Sequence, residues 1–165
     1  MKVLWTCLAL ALTASATAST GWTATNSVGT AVSATETVTG QYAGKTEVIV
    51  TRDPIFLDQR ISANQSGLEQ FQLLDGAKLV VGPGASIVVD NFVYSGNDGA
   101  KKILLKATKG AFRFISGNSG SHAYSIVTPT ATIGIRGTVF DFTVAGGRTY
   151  LTLVRGEVRL CGGGQ

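Results

Sequence analysis

Cysteine, histidine, proline and charge are all scarce in this chain of 165 residues. Two cysteines, Cys7 and Cys161, make neither a cysteine-rich scaffold nor a four-thiolate zinc site. The single histidine, His122, leaves no partner for a two-histidine metal centre. Three prolines beside 21 glycines without a three-residue period exclude collagen. Charged residues make up 15% and hydrophobic residues 44%, which excludes a disordered polymer. What is left is one domain's length of chain, enough to bury a core.

Long hydrophobic runs are missing as well. The longest, residues 3–12, is about half of the roughly 20 residues a spanning helix needs. With Lys2 before it and the small-x-small patterns Ala14-Ser15-Ala16 and Ala16-Thr17-Ala18 after it, residues 1–18 read as a secretory signal peptide. Cys7 lies inside the apolar run and not behind it, which argues against a lipoprotein. The expected location is therefore periplasmic or secreted, with no membrane span. Cleavage removes Lys2 from the 14 basic residues and leaves 13 against 10 acidic ones, a net of +3. It also leaves Cys161 as the lone thiol in an oxidising compartment. Three readings compete for it: a disulfide to a cysteine beyond Gln165 in a longer chain, a bridge between subunits, or a buried free thiol. The ending Cys161-Gly162-Gly163-Gly164-Gln165 favours the first.

What is present is a strand pattern. Residues 19–45, rich in Thr, Ser, Ala and Gly, read as an exposed leader with one or two weak edge strands. From residue 46 onward, short β-branched and aromatic runs alternate with turn residues. Strands are expected at 47–51, 69–74, 78–81, 86–94, 102–108, 111–116, 124–128, 131–135, 138–145, 148–154 and 157–160. Asp75-Gly76, Gly82-Pro83-Gly84, Asn97-Asp98-Gly99 and Gly146-Gly147 supply turns. Phe112 and Phe114 share one face with Arg113 on the other. No window carries the 3.6-residue recurrence of an amphipathic helix. The expectation is an all-β domain over 46–165 with many short strands and Gly-rich turns, a β-sandwich or a β-solenoid-like coil. A basic residue and glycine recur before strands at Lys109-Gly110, Arg136-Gly137 and Arg155-Gly156, and are expected to be a repeated turn.

Charge is divided along the chain. Residues 36–100 carry 4 basic and 8 acidic residues, whereas 101–165 carry 9 basic and 2 acidic. This points either to a basic face for an anionic partner or to pairing between interleaved halves.

The ordered phrases of the chain resemble the FecR-type domain of Gram-negative cell envelopes. They are Phe71-Gln72-Leu73-Leu74-Asp75-Gly76, Leu79-Val80-Val81-Gly82-Pro83 and Ile87-Val88-Val89-Asp90-Asn91-Phe92-Val93-Tyr94. Thr108-Lys109-Gly110-Ala111-Phe112-Arg113-Phe114 follows, and then the most specific, Ile126-Val127-Thr128-Pro129-Thr130-Ala131-Thr132-Ile133-Gly134-Ile135-Arg136-Gly137-Thr138. The resemblance begins near residue 29. It implies an all-β periplasmic domain which, in the best-known members, relays a signal from an outer-membrane receptor to a sigma factor. This chain departs from them in having no anti-sigma segment and no transmembrane helix, so it looks like a stand-alone exported form.

Catalytic motifs fare poorly. Gly82-x-Gly84 lacks the third glycine of a dinucleotide loop and precedes a strand. Gly117-Asn118-Ser119-Gly120-Ser121 misses the nucleophile elbow by its last residue. His122 beside it reads as a solvated loop residue. Asp75, Asp90, Asp98 and Asp141 form no pair that spacing can place for glycosidase chemistry. No cofactor, metal or nucleic acid is expected. The candidate contacts are Lys101, Lys102, Lys106, Arg113 and Arg136, for an envelope protein or anionic envelope polymer. Gly76, Gly82, Pro83, Pro129, Gly134, Gly137 and Asp141 are expected to be structural. Arg136, with Asp141 within reach, is either a recognition residue at a strand end or, the favoured reading, a buried or half-buried residue that pairs with a carboxylate or backbone carbonyls and locks its turn. An envelope polysaccharide hydrolase and a self-associating structural domain, a homo-oligomer joined through Cys161, are the alternatives.

Overall fold

A computed structural model describes residues 27–35, 37–95, 99–120 and 122–163. The signal-peptide reading and most of the Asn97-Asp98-Gly99 turn lie outside them. Twelve strands follow in order: β1 Ser27–Ala34, β2 Val38–Tyr42, β3 Lys45–Val48, β4 Pro54–Phe56, β5 Arg60–Ala63, β6 Glu69–Leu73. They continue with β7 Lys78–Val81, β8 Ser86–Tyr94, β9 Ala100–Ile115, β10 Tyr124–Val127, β11 Ala131–Ala145 and β12 Arg148–Gly162. Among the described residues, no helix is long and apolar enough to cross a membrane. The all-β expectation holds, and the sheet is a curled open one, a half-barrel.

One path runs β3-β2-β5-β8-β9-β7-β6-β1-β4, and β10, β11 and β12 form a wing beside it. β9 is the hub. Its first half pairs with β8 on one side and, in parallel, with β10 on the other, through Ile103–Lys106. Its second half pairs with β7 and β11. Gly110 sits between the halves at φ 103°, and a Cβ there would collide with the Ala85 backbone. A strand serving four neighbours must bend, and only glycine lets it bend here.

Strand alternation builds the core. Phe71, Phe114, Phe140 and Phe142 are fully buried, and Phe114 meets Tyr124 edge-on with ring centroids 5.5 Å apart. Burial of each such ring stabilises by about 1.5–3 kcal/mol. In β11 the alternation slips at Arg136-Gly137, both exposed, where the register with β12 shifts.

That slip corrects the repeated-turn expectation. Gly110, Gly137 and Gly156 all take positive φ, but each lies inside an unbroken strand. Positive φ at one glycine serves a bulge as well as a reversal, so the runs on either side fuse into β9, β11 and β12. The leader expectation is also revised. β1 pairs with both β4 and β6, β2 pairs with both β3 and β5, and Val28, Ala31 and Val38 are core residues. β4 and β5 carried no sequence expectation.

The true turns match the expected chemistry. Gly76 at φ 85° closes the β6–β7 hairpin, and Gly146 and Gly147, both at positive φ, close β11–β12. Gly82 lies against the Ala111 carbonyl, where a Cβ would come within 2.9 Å, and Pro83 follows in the β7–β8 connection. Pro129 occupies a turn held by Thr128, whose hydroxyl accepts from the Ala131 N–H at 3.0 Å.

Candidate functional site

Pairing in the wing dictates what converges on its outer face. Ile103, Leu105, Tyr124, Ile126, Ile133 and Ile135 turn to the core, so Ser125, Gly134 and Arg136 turn outward between them. Gly134 lies beside Ser125 on one side and Arg159 on the other, and Arg136 lies beside Glu157. The missing side chain at Gly134 leaves a depression. The result is an open cleft of 630 Å³ lined by His122, Ser125, Gly134, Arg136, Glu157 and Arg159 among others.

Arg136 stands at its centre. Its Nη2 is 3.4 Å from His122 Nε2, and its Nη1 is 3.9 Å from Glu157 Oε2. The Arg136 and Glu157 side chains are 55% and 73% exposed, so this ion pair adds little stability and leaves the guanidinium open to a ligand. Two guanidiniums and an imidazole thus face one carboxylate.

The His122 loop is tied down from beneath. Buried Asp75 accepts hydrogen bonds from the Tyr124 hydroxyl, from Ser119 Oγ at 2.7 Å and from the Ala77 N–H at 3.1 Å. Tyr124 Oη in turn accepts from the N–H groups of Gly117 at 2.9 Å and Ser119 at 3.2 Å. Ser119 Oγ also accepts from the Ala100 N–H at 2.8 Å. Burial, and then the Asp75 partner, push the Tyr124 phenol up to about 12, so it stays a donor. The loop is anchored at its base by a satisfied network, which sets where His122 can reach.

The other expected contacts are scattered. Lys101 and Lys102 are exposed at the start of β9. Lys106 is bound to Asp90 at 2.7 Å. Arg113 grips Asp141 with two bonds, Nε–Oδ1 at 2.7 Å and Nη2–Oδ2 at 2.8 Å, and holds that carboxyl below the usual range. Asp141 lies across from Arg113 in the β9–β11 register and not beside Arg136, and the expected burial of Arg136 is corrected: it is exposed, left to the cleft. Gly134 proves to be the cleft floor, and Gly137 a bulge at φ 60°. Cys161 is a free, exposed thiol and not a buried one. His122, Glu157 and Arg159 were not among the expected contacts; their only advance signal was that the strands carrying Arg136 and Arg159 pair as neighbours.

One carboxylate stands apart. Glu69 on β6 is fully buried between Ala34 and Val81, and neither of its oxygens has a hydrogen-bond partner. Burial, and then the charge of Asp53, push it up to about 7. Both oxygens are shut off from solvent, and so from substrate. Among the described residues, no three of His, Cys, Asp and Glu gather as a metal site would need.

The architecture is thus an all-β domain of curl and wing. Residues 59–159 match the family described as FecR protein, and the chain belongs to that family, whose domain is signalling-related and sensory. No curated protein and no solved structure matches the chain.

Proposed function

We propose that this chain is an exported, non-enzymatic recognition domain of the cell envelope, which binds an anionic surface of an envelope protein or polymer through the wing's outer cleft. The observation that carries the reading is the His122–Arg136–Arg159 grouping, an exposed cluster of donors set around a glycine floor beside one weakly held carboxylate. Guanidiniums in such a setting favour carboxylate or phosphate groups, which they bind in bidentate fashion. Lys102 projects from the same outer face of the neighbouring β9 half and extends the field.

The state of the carboxylates supports a binding role over hydrolysis. Asp90 and Asp141 are engaged by cations, Asp75 by three donors, and Glu69 is sealed in the core. Two opposed carboxyls with a raised and an ordinary pKa, as glycosidases use, find no counterpart among them. Location in the periplasm or outside the cell belongs to the same proposal and rests on the signal-peptide pattern of residues 1–18.

Titration of the purified mature chain with an acidic peptide and with lipopolysaccharide tests the reading. Binding is expected to weaken steeply with salt, and to fall about tenfold in an Arg136→Gln/Arg159→Gln variant. Salt-insensitive binding, or full affinity in the double variant, would remove the cleft from the function.

A further inference from the structure

Among the described residues the sheet has three ends, and they are treated differently. β3 is four residues long, and β4 is three residues long and starts with Pro54; both are short, blunted edges. β12 runs 15 residues and, among the described residues, pairs only with β11, so its other side presents a long row of free backbone groups. It also carries apolar residues that the core does not cover. Tyr150, Leu153, Val154 and Leu160 are between 46% and 59% exposed. A long apolar edge of this kind is a template for strand addition.

The spacing on β12 says what strand fits. Leu151 pairs with Phe142 and Leu153 with Phe140, whereas Val158 pairs with Ile135 and Leu160 with Ile133. Each of these β11 partners is a core residue, so all four β12 residues form the inner row. The register shift around Val154–Gly156 keeps both halves of that row on one face. The four positions are symmetric about the Arg155–Gly156 bond. A second β12, antiparallel and centred on that bond, therefore sets Leu151 against Leu160 of the other copy and Leu153 against Val158 of the other copy, with inner faces matched throughout.

The charges agree with the same register. Arg148, Arg155 and Arg159 come to lie opposite Gly163, Gly156 and Thr152 of the second copy, so no arginine opposes another. Glu157, the sole acid on the strand, lies opposite Val154 of the second copy. Like charges directly across a ladder would disfavour pairing, and here there are none.

We infer that β12 is a dimerisation edge, on which a second copy of this chain pairs antiparallel about a two-fold axis at Arg155–Gly156 and continues the sheet. The inner apolar row then runs unbroken from one copy to the other. The two Cys161 thiols end up roughly 35 Å apart, so this dimer is not joined by a disulfide between them. The surface is separate from the anion-binding reading of the cleft and does not depend on it.

Sedimentation equilibrium of the mature chain under reducing conditions is expected to give twice the chain mass at high concentration. Leu153→Lys, at a half-exposed position, is expected to weaken the dimer by roughly tenfold or more while leaving far-UV circular dichroism unchanged, since each interface carries the change twice. The register has its own readout. The Tyr150→Cys thiol is expected to crosslink to Cys161 of the second copy under mild oxidation, whereas the unsubstituted chain does not crosslink. A monomer at every concentration, a dimer indifferent to Leu153→Lys, or a Cys161–Cys161 linked dimer would each overturn the inference.

Discussion

The curl formed by β1–β9 and the wing formed by β10–β12 are built from the same alternating strands, yet they end differently. In the curl, the strands themselves carry the core: Ile55 of β4, Ile61 of β5, Phe71 of β6, Leu79 of β7 and Ile87 of β8 show no exposure. In the wing, β11 buries alternate residues along its length, but every residue of β12 is at least partly exposed. The curl turns its sequence to the core, and among the described residues the wing leaves an edge and a basic cleft open. The buried core and the exposed surface thus lie toward different ends of one sheet.

Substitutions can break that division, beginning with the largest effect. Phe114→Ala removes the ring that joins the hub strand to Phe140 and Tyr124, and is expected to cost about 3–5 kcal/mol by urea unfolding. Leu153→Ala in the wing edge is expected to cost under about 1 kcal/mol in the monomer, since half of that side chain is already in water. Equal costs would erase the distinction.

The buried acid of the curl comes next. Glu69 ionises in the unfolded chain near its ordinary 4.5 but in the folded chain only near 7. Its raised value means stability is fully present below pH 4.5 and declines as pH rises through 7, by up to about 3 kcal/mol. Glu69→Gln is expected to flatten that decline in denaturation curves taken across the window. A decline of the same size in the variant would assign it to another group.

Backbone geometry gives a smaller contrast. Gly110→Ala forces a Cβ into Ala85 at φ 103° and is expected to cost about 2 kcal/mol or more, whereas Gly147→Ala, in open space at the wing hairpin, is expected to cost about 1 kcal/mol. Smallest of all, Arg136→Gln is expected to leave the melting temperature within a degree or two, a change below about 0.5 kcal/mol, because its ion pair is loose and exposed. A large loss there would make Arg136 architectural.

Much of the fold was legible in the amino-acid order. The runs at 78–81 and 86–94 are β7 and β8 to the residue, and the Phe112/Phe114 face is the core face. Alternation and turn residues are local signals, so short strands between glycines announce themselves. β4 and β5 stayed hidden because Pro54-Ile55-Phe56 and Arg60-Ile61-Ser62-Ala63 are too short to show a period, and partners in β1, β2 and β8 define them. The Lys/Arg-Gly pairs were visible but ambiguous, since a bulge and a reversal ask the same of glycine. The site was half legible. Arg136 stood out by its flanking glycines, but only sheet register could bring His122 and Glu157 to it and give Asp141 to Arg113.

The central claim is that the wing edge is open in the single chain and filled by a second copy. Hydrogen–deuterium exchange of β12 amides at low and high protein concentration tests it most directly. The account predicts that amides on the free side of β12 exchange rapidly when dilute and become protected when concentrated, while β7 and the second half of β9 stay protected throughout. Protection of β12 that is the same at both concentrations would contradict it.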